Sequence, residues 1–283
     1  MSKHFIKLVN NDDCIIVAPL DHKTSCKYGA FTNWCTAVPS NPEHFQSYYR
    51  YGVLLYYINK KNDSHKLGIS IPFTKYKVTK NLIKCRSDIY DPEDKKIILY
   101  PIHEIKPYES IITDYYIKRQ EEYNIEFAEH EKIISFMKEH GQPPDDVTEL
   151  NFDTYFGQRT KITTLNNIEV INGNLGAINI DSLGKLKKVG ALNLAMSKNL
   201  KSLGSLEESG TVILYRSEVE DLGNLHTIFG DLDISDTDIK SLNNVRYIGD
   251  MLYCNDYFYD KYQCCTPTLK LDYPNLKIDG YME

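Results

Sequence analysis

The chain has 283 residues, 42% of them hydrophobic, and a formal net charge of −6 at pH 7. This length and composition allow one large or two ordinary globular domains. The acidic balance and the lack of basic clusters exclude a nucleic-acid interface built on bulk charge. No apolar run is long enough to span a bilayer, and the first residues lack the apolar core of a signal peptide. We therefore expect a cytoplasmic protein that binds neither nucleic acid nor membrane.

Cysteine usage points to a reducing compartment. The seven cysteines are odd in number, irregularly spaced and without a Cys-x-x-Cys pair, which favours reduced thiols over disulfides or a zinc site. The chain also has no P-loop, Rossmann glycine fingerprint, HExxH or GxSxG motif. We expect no bound metal and no resident cofactor.

Residues 1–106 are predicted to form an N-terminal mixed α/β domain. A helix over residues 42–51 is indicated by Pro42 at its first position and Gly52 just beyond its end. The next segment is apolar throughout, which is typical of a central strand, and the polar turn after it predicts a hairpin. The predicted elements are strands Phe5–Val9 and Cys14–Pro19, helices 21–30 and 42–51, and strands Val53–Asn59, Lys66–Pro72 and Cys85–Tyr90.

The densest group of unusual residues is Tyr28-Gly-Ala-Phe-Thr-Asn-Trp-Cys-Thr-Ala, which contains the single tryptophan of the chain beside Cys35. With the following Phe45, Tyr48 and Gly52, this pattern resembles a module in uncharacterised proteins of tailed bacteriophages. The resemblance covers roughly residues 20–72. It implies a viral context and no particular reaction, and the residue usage, typical of an AT-rich genome, agrees with that context.

Three interpretations of this stretch stay open. In the first, Trp34 and Cys35 are core residues, since a buried cysteine behaves as a small hydrophobe. In the second, Cys35 is a nucleophile with His22 or His44 as its base. In the third, the stretch lines a ligand pocket that combines ring stacking with hydrogen bonding. The residues of that pocket would be Tyr28, Thr32, Asn33, Trp34 and Thr36.

An enzymatic version of the third interpretation comes from a second resemblance. The order of Tyr28-Gly29, a helix with Tyr48 and an apolar strand resembles ADP-ribosyltransferases of the His-Tyr-Glu type. That resemblance implies a site for NAD or another nucleotide and a distant glutamate acting on the ribose. The catalytic candidates would be His22, Tyr48 or Tyr49, and Glu104 or Glu109.

Residues 107–141 are predicted to be a helical connector. Apolar residues recur at helical spacing between Tyr108 and His140, which indicates one or two helices, and Gly141 is placed to end the last one. The Gln142-Pro-Pro-Asp-Asp segment that follows is a linker. It marks the start of a third region, residues 142–283.

Five copies of one repeat fill Ile162–Tyr253. The leucines Leu165, Leu183, Leu203, Leu222 and Leu242 lie 18 to 20 residues apart, each followed by glycine or asparagine where the return segment opens. A second glycine follows seven or eight residues later and is expected to allow a turn into a short strand of period two. One unit is too small to bury its own leucines, so the copies must stack into a β-solenoid.

The repeat resembles leucine-rich repeats of the short, irregular kind. That consensus has an asparagine or cysteine at a fixed place after its strand leucines. Here the residue at that place varies (Ser197, Arg216, Ser235 and Asn255), so another kind of β-solenoid is still possible as an interpretation. Glu149–Asp153 and Tyr257–Glu283 are predicted to cap the two ends. The outward strand positions, expected to bind a partner, are Asn193, Ile213, Asp233 and Leu252, with Tyr215 and Arg216 just beyond.

The predicted fold is therefore α+β: a mixed α/β domain, a helical connector and a leucine-rich-repeat-like β-solenoid. The leading hypothesis is a phage-encoded binding protein that engages a host protein through the solenoid face or captures a small nucleotide-type ligand, a role that would suit counter-defence. The alternative is an enzyme whose N-terminal domain acts on NAD or another nucleotide while the repeats choose its target. A solenoid that only scaffolds the N-terminal domain is a further alternative.

Overall fold

The computed structural model describes residues 4–38, 42–62, 64–73, 88–93, 95, 104–157, 160–262, 269 and 272–280. The chain divides into two compact units, Met1–Ile125 and Glu126–Glu283. The first unit mixes helices with an antiparallel sheet, and the second contains a parallel β-solenoid. The α+β class and the C-terminal solenoid are therefore confirmed, whereas the leucine-rich-repeat type stays a prediction.

The first unit is built on a five-stranded antiparallel sheet whose strands follow one another in chain order. The helices α1 (His22–Tyr28) and α2 (Pro42–Tyr51) lie between the second and third strands, and a 3-10 turn covers Cys35–Ala37. The strands are β1 (Phe5–Asn10), β2 (Cys14–Pro19), β3 (Gly52–Asn59), β4 (Lys66–Pro72) and β5 (Asp88–Tyr90). The predicted hairpin is β3–β4, and the edge segment expected over 85–90 is β5, with residues 85–87 outside the described part.

The two faces of β3 enter different cores, which explains why this strand is apolar throughout. Val53, Leu55 and Tyr57 face a cluster that includes Ile112 and Tyr116, which belong to the long helix described below. The alternate residues Leu54 and Tyr56 face a second cluster with Val17, Trp34 and Phe45. A strand buried on both sides loses the alternation of polar and apolar residues.

One helix, α3 (Glu109–His140), covers the predicted connector and has 32 residues. It ends where the sequence predicts: Gly141 has a φ of 80°, and its N–H donates to the Met137 carbonyl at 2.8 Å. This left-handed glycine satisfies one of the last carbonyls of the helix. No helix within the described residues is long and apolar enough to cross a membrane.

Within its described residues, the second unit holds eleven strands that form two parallel ladders. They are β6 (Glu149–Leu150), β7 (Thr154–Phe156), β8 (Val170–Ala177), β9 (Lys188–Asn193), β10 (Glu208–Ser209), β11 (Val212–Ile213), β12 (Thr227–Ile228), β13 (Leu232–Asp233), β14 (Tyr247–Ile248), β15 (Leu252–Tyr253) and β16 (Lys277–Ile278). Ladder A joins β6, the beginnings of β8 and β9, then β10, β12, β14 and β16. Ladder B joins β7, the ends of β8 and β9, then β11, β13 and β15.

The repeated leucines fill the interior, and the residue after each of them turns the chain. These corner residues all have positive φ, between 43° and 59°, in the column Asn166, Gly184, Gly204, Gly223 and Asn243. Glycine and asparagine are the residues that adopt this left-handed conformation at least cost. Each of these leucines is followed by either glycine or asparagine because the backbone has the same left-handed turn at that place in all five copies.

The second glycine of the repeat has a role beyond the turn expected of it. Gly190 is not in the left-handed region, so it does not serve as a conformational turn. A Cβ atom built there would lie 2.7 Å from the carbonyl oxygen of Gly173 in the preceding coil. The chain does bend at Gly210, Gly230 and Gly249, but no glycine of this column has a positive φ, and at Gly190 glycine is required because neighbouring coils approach too closely for a side chain.

Strand pairing corrects the sequence alignment of the last repeat. Leu232 pairs with Leu252, which is fully buried, and Asp233 pairs with Tyr253. The expectation that Leu252 faces outward was therefore wrong, and Tyr253 holds the outward position. The last coil has one extra residue between its glycine and its inward leucine, and a shift of one residue exchanges the two faces of a strand.

Strand pairing also shows that Ser197, Arg216, Ser235 and Asn255 do not occupy equivalent positions in their coils, so comparing them with one position of the leucine-rich consensus was wrong. Ser197, Ser217 and Thr237 each lie five residues after the paired positions Leu192, Val212 and Leu232. Ser197 and Ser217 are buried, and Thr237 Oγ1 donates to the Ile234 carbonyl at 2.6 Å. The column is therefore uniform in hydroxyl residues.

Both ends of the solenoid core are covered. Ile134 and Met137 from α3 join the core at one end, and Phe258 and Tyr262 from α4 (Asp256–Tyr262) join it at the other. The predicted capping strand at 149–153 is β6, and the predicted alternation of Leu276-Lys-Ile is β16. Leu269 is buried, but the rest of the alternation expected over 269–271 lies outside the described residues.

Candidate functional site

Trp34 is a core residue of the first unit. Its indole is 3% exposed, stacks on the Tyr56 ring at a centroid distance of 4.8 Å, and donates from Nε1 to the Asp91 carbonyl at 2.5 Å. The neighbouring Asn33 N–H donates to the Pro92 carbonyl at 2.8 Å. The indole face and its single donor are therefore already used within the protein.

The Tyr56 hydroxyl is the centre of a buried polar cluster that sequence reasoning did not find. It lies 2.6 Å from Ser25 Oγ and 2.7 Å from Thr36 Oγ1, and Ser25 Oγ donates to the Thr36 carbonyl at 2.6 Å. Burial raises the pKa of Tyr56 to about 12. A phenol that stays neutral at pH 7 acts here as a fixed hydrogen-bonding hub between α1, the 3-10 turn and β3.

The space beside this cluster is small. A cavity of about 20 Å³ is lined by Trp34, Cys35, Thr36, Tyr48 and Tyr56, among others. A space of roughly 10–15 Å³ is the minimum for one water molecule. The structure thus brings four of the predicted site residues together around room for a single water, which is far below the roughly 300 Å³ at which ligand pockets begin.

The predicted base, His22, lies next to a cysteine other than the predicted nucleophile. Its Nε2 is 3.0 Å from the Val38 carbonyl oxygen and 3.3 Å from Cys26 Sγ, and no hydrogen bond joins it to Cys35 within the described residues. A nitrogen that donates to Val38 cannot also accept a proton from Cys26. Burial raises the pKa of the Cys26 thiol, which opposes formation of a thiolate.

The remaining candidates of the first unit have structural contacts of their own. Thr32 Oγ1 donates to the Gly29 carbonyl at 2.6 Å, and Tyr28 packs edge-on against Phe5 at 5.4 Å. Glu104 pairs with His65 at 3.5 Å, and Tyr49 stacks on Phe45 at 5.6 Å. Within the described residues, these contacts do not bring His22, Tyr49 and Glu104 together.

In the second unit, the predicted partner-binding residues lie along one surface. The outward positions of ladder B form a continuous row of Tyr155, Gly176, Asn193, Ile213, Asp233 and Tyr253, each paired with the next. We call this row, with Met196, Tyr215 and Arg216 just beyond its strands, the ladder B face. Tyr155 is 64% exposed and Met196 is 52% exposed.

Arg216 is held in place on this face. Its Nε lies 3.0 Å from Asp236 Oδ2 in the next coil, and its guanidinium lies 4.8 Å from the centre of the Tyr215 ring. Such an exposed ion pair contributes little to stability, because water screens it. Its main effect is to hold the arginine side chain beside the tyrosine ring.

The outward positions around ladder A have a different character. Lys187 pairs with Glu169 at 2.8 Å, Lys188 pairs with Glu208 at 2.7 Å, and the Tyr247 hydroxyl donates to Asp279 at 2.7 Å. These contacts run from one coil to the next. Several charged side chains around ladder A are thus paired with side chains of neighbouring coils.

Comparison of the chain with protein-family models, with curated proteins and with solved structures finds no match.

Proposed function

We propose that this chain is a binding protein that recognises another protein through the ladder B face. The contrast between the two ladders carries this proposal: charged side chains around ladder A pair between coils, whereas ladder B exposes tyrosine, methionine, isoleucine and an oriented arginine. These residue types are enriched where protein interfaces hold most of their binding energy. The strands beneath Asn193, Ile213 and Asp233 are paired on both sides, so binding there requires little ordering of the backbone.

The size of the ladder B face suits a protein partner. Parallel strands are spaced about 4.8 Å apart, so the five steps from Tyr155 to Tyr253 span roughly 24 Å. An interface of standard size needs about 800 Å² on each partner, which a strip of this length and the two flanking columns can supply. The resemblance of residues 20–72 to a phage module supports a host protein as the partner, in the cytoplasm of an infected bacterium.

The enzymatic alternative has weaker support. Its catalytic candidates have separate contacts, and the cavity near Tyr48 has room for one water. Capture of a nucleotide-type ligand at Trp34 would need the stacked Trp34–Tyr56 pair to open. Both alternatives stay predictions that an assay with NAD would address.

A pair of matched variants tests the proposal. Ile213→Glu places a charge at the centre of the ladder B face, and Thr227→Glu places the same charge at an outward position of ladder A. Tagged wild type and both variants are incubated with bacterial lysate, and retained proteins are quantified by mass spectrometry. Circular dichroism melting checks that all three proteins are folded.

We expect a protein that wild type and Thr227→Glu retain equally and that Ile213→Glu loses at least tenfold, because a buried unpaired charge destabilises an interface. Equal retention by the two variants would show that the partner binds elsewhere. Consumption of added NAD by wild type would favour the enzymatic alternative.

A further inference from the structure

A fully exposed phenylalanine lies at the tip of the loop that follows α1. The Phe31 side chain is fully exposed, and its backbone has a φ of 64°. Among the described residues of the first unit, Phe31 alone has a positive φ. Bulky residues rarely adopt this left-handed conformation, which glycine and asparagine adopt at less cost. Phe31 thus stands where another residue type would suit the fold better.

The tip of this loop is braced by hydrogen bonds to its backbone. Lys66 Nζ donates to the Ala30 carbonyl at 2.6 Å and to the Tyr28 carbonyl at 3.3 Å. Beyond the tip, the Thr32 N–H and Thr32 Oγ1 both donate to the Gly29 carbonyl, at 3.2 and 2.6 Å. The loop is therefore held on both sides of the exposed ring, which keeps the strained backbone in place.

A strained residue in a braced loop indicates that its side chain is needed for a contact. Residues in sparsely populated backbone conformations cluster at functional sites, where the surrounding structure holds them in place. The exposed ring of Phe31 adds no packing to the first unit. A partner that covers the ring would remove its whole apolar surface from water, which stabilises the complex.

Lysines surround the aromatic side chains of this region. Each of three rings has a lysine ammonium within 6.0 Å of its centre, and the pairs are Lys7 with Phe5, Lys27 with Tyr28, and Lys66 with Phe31. Tyr28 packs edge-on against Phe5 at 5.4 Å, and the hydrogen bond from Lys66 to the Tyr28 carbonyl joins the third pair to the other two. We call these six side chains the Phe31 patch.

The Phe31 patch is a local basic surface on an acidic chain. Residues 22–38, which carry the tip, include two lysines and no acidic residue. Lys7 and Lys27 are exposed and, within the described residues, are in no ion pair. Asp21, the acidic residue just before this stretch, lies 2.6 Å from His4 Nδ1. Positive charge around the exposed ring therefore suits a partner with negative charge around an apolar layer.

This combination favours an anionic lipid bilayer over a protein. Protein interfaces are enriched in aromatic residues but depleted in lysine. At a bilayer, lysines can stay at the level of anionic headgroups while an aromatic ring enters the interfacial region. The net charge of −6 predicted no membrane partner, but that value averages over surfaces that a bilayer would not meet.

We propose that the Phe31 patch attaches the protein to the surface of an anionic bilayer. The Phe31 ring enters the interfacial region, and the ammonium groups of Lys7 and Lys27 lie at the anionic headgroups. The braced loop requires little ordering on binding. One ring and a few lysines give a reversible, peripheral attachment. This site is separate from the ladder B face, and either could act without the other.

Cosedimentation of the full chain with vesicles tests the proposal. Vesicles of phosphatidylcholine with phosphatidylglycerol are compared with vesicles of phosphatidylcholine alone, at low and at high salt. Phe31→Asn removes the ring and suits the left-handed backbone. Lys7→Gln with Lys27→Gln removes two charges from the patch.

Two control variants make the same chemical changes elsewhere. Ile125→Asn replaces an apolar residue of α3 that is 64% exposed. Lys185→Gln with Lys198→Gln removes two charges from exposed positions of the second unit. Thermal melting of every variant is measured in parallel.

We expect wild type to sediment with the anionic vesicles only, and high salt to release it. Phe31→Asn should weaken binding by about tenfold or more, yet melt at or above the temperature of wild type because the backbone strain is relieved. The Lys7 and Lys27 pair should weaken binding by about tenfold. Both controls should bind as wild type does.

Failure of wild type to bind anionic vesicles at millimolar lipid would overturn the proposal, and a protein pocket would then be the better candidate to cover the ring. Binding that Phe31→Asn retains would also overturn it. So would an equal loss in the Lys185 and Lys198 pair, because attachment would then reflect net charge alone. None of these outcomes depends on whether Ile213→Glu loses a protein partner.

Discussion

At the scale of single residues, Tyr56 is expected to make the stability of the first unit fall as the pH rises in the alkaline range. Its pKa is about 12 in the folded protein and 10.0 in a free side chain. Between these values the unfolded chain has lost the phenolic proton and the folded chain retains it. The folded state therefore binds more protons, and stability must fall as pH rises from about 10 to about 12.

The variant Tyr56→Phe is expected to remove this contribution. Its free energy of unfolding at pH 7 should be lower by about 1–2 kcal/mol, since Ser25 and Thr36 lose a buried partner. Above pH 10, however, its stability should fall less steeply than that of wild type, by up to about 1.4 kcal/mol per pH unit. Urea unfolding at pH 7, 10 and 11 measures both effects, and parallel pH curves would contradict the assignment.

Single residues also show where sequence reasoning reached its limit at these sites. The pairing of tryptophan and cysteine suggested reactivity, but the decisive contact is between Trp34 and Tyr56, which are far apart in sequence. The braced loop at Phe31 depends on Lys66 from another segment. A local pattern can predict a turn after α1, whereas the strained and exposed position of Phe31 becomes visible only when the segments meet.

At the scale of elements, Gly204 and Gly190, which occupy different columns of the repeat, should respond differently to the same substitutions. Gly204 has a φ of 57° and open space where a Cβ atom would lie, whereas Gly190 has no room for one. Asparagine tolerates the left-handed conformation and occurs in the Gly204 column at Asn166 and Asn243. Gly204→Asn should therefore change stability by about 0.5 kcal/mol or less.

Substitution in the other column is expected to be costly. Gly190→Asn forces its Cβ against the Gly173 carbonyl, so two coils must separate and stability should fall by about 2 kcal/mol or more. Gly190→Ala should be nearly as harmful, while Gly204→Ala should cost about 1 kcal/mol through backbone strain alone. Thermal unfolding of the four variants makes the comparison, and equal effects at Gly190 and Gly204 would show that the two glycines have the same role.

The elements themselves were predicted well wherever local pattern determines them. The apolar run of β3, the end of α3 at Gly141 and the period of the solenoid all follow from short-range rules. The direction in which the side chains of β15 point does not follow from such rules. One extra residue between Gly249 and Leu252 shifts the register, and only the pairing with β13 shows which side chain faces inward. The repeat period predicts the position of a strand to within one residue, but which of its side chains face inward is known only from its pairing with the neighbouring coil.

At the scale of the whole molecule, each unit buries its own apolar clusters. Among the described residues, the clusters around β3 contain none beyond Tyr116, and the solenoid cluster contains none before Ile133. A unit with its own core is expected to unfold cooperatively by itself. Calorimetry of the full chain should therefore show two transitions.

Two variants, one in each unit, assign these transitions. Tyr56→Phe should lower only the transition of the first unit. Asn255→Ala should lower only the other, because Asn255 Nδ2 donates to the Thr237 and Ile239 carbonyls at 3.0 and 2.6 Å and so closes the last coil. The loss of two buried hydrogen bonds should reduce the melting temperature of a unit of this size by roughly 4–10 °C. A single transition that both variants lower equally would mean that the units unfold together, and the variants of the ladder B face would then need to be judged by the stability of the whole chain.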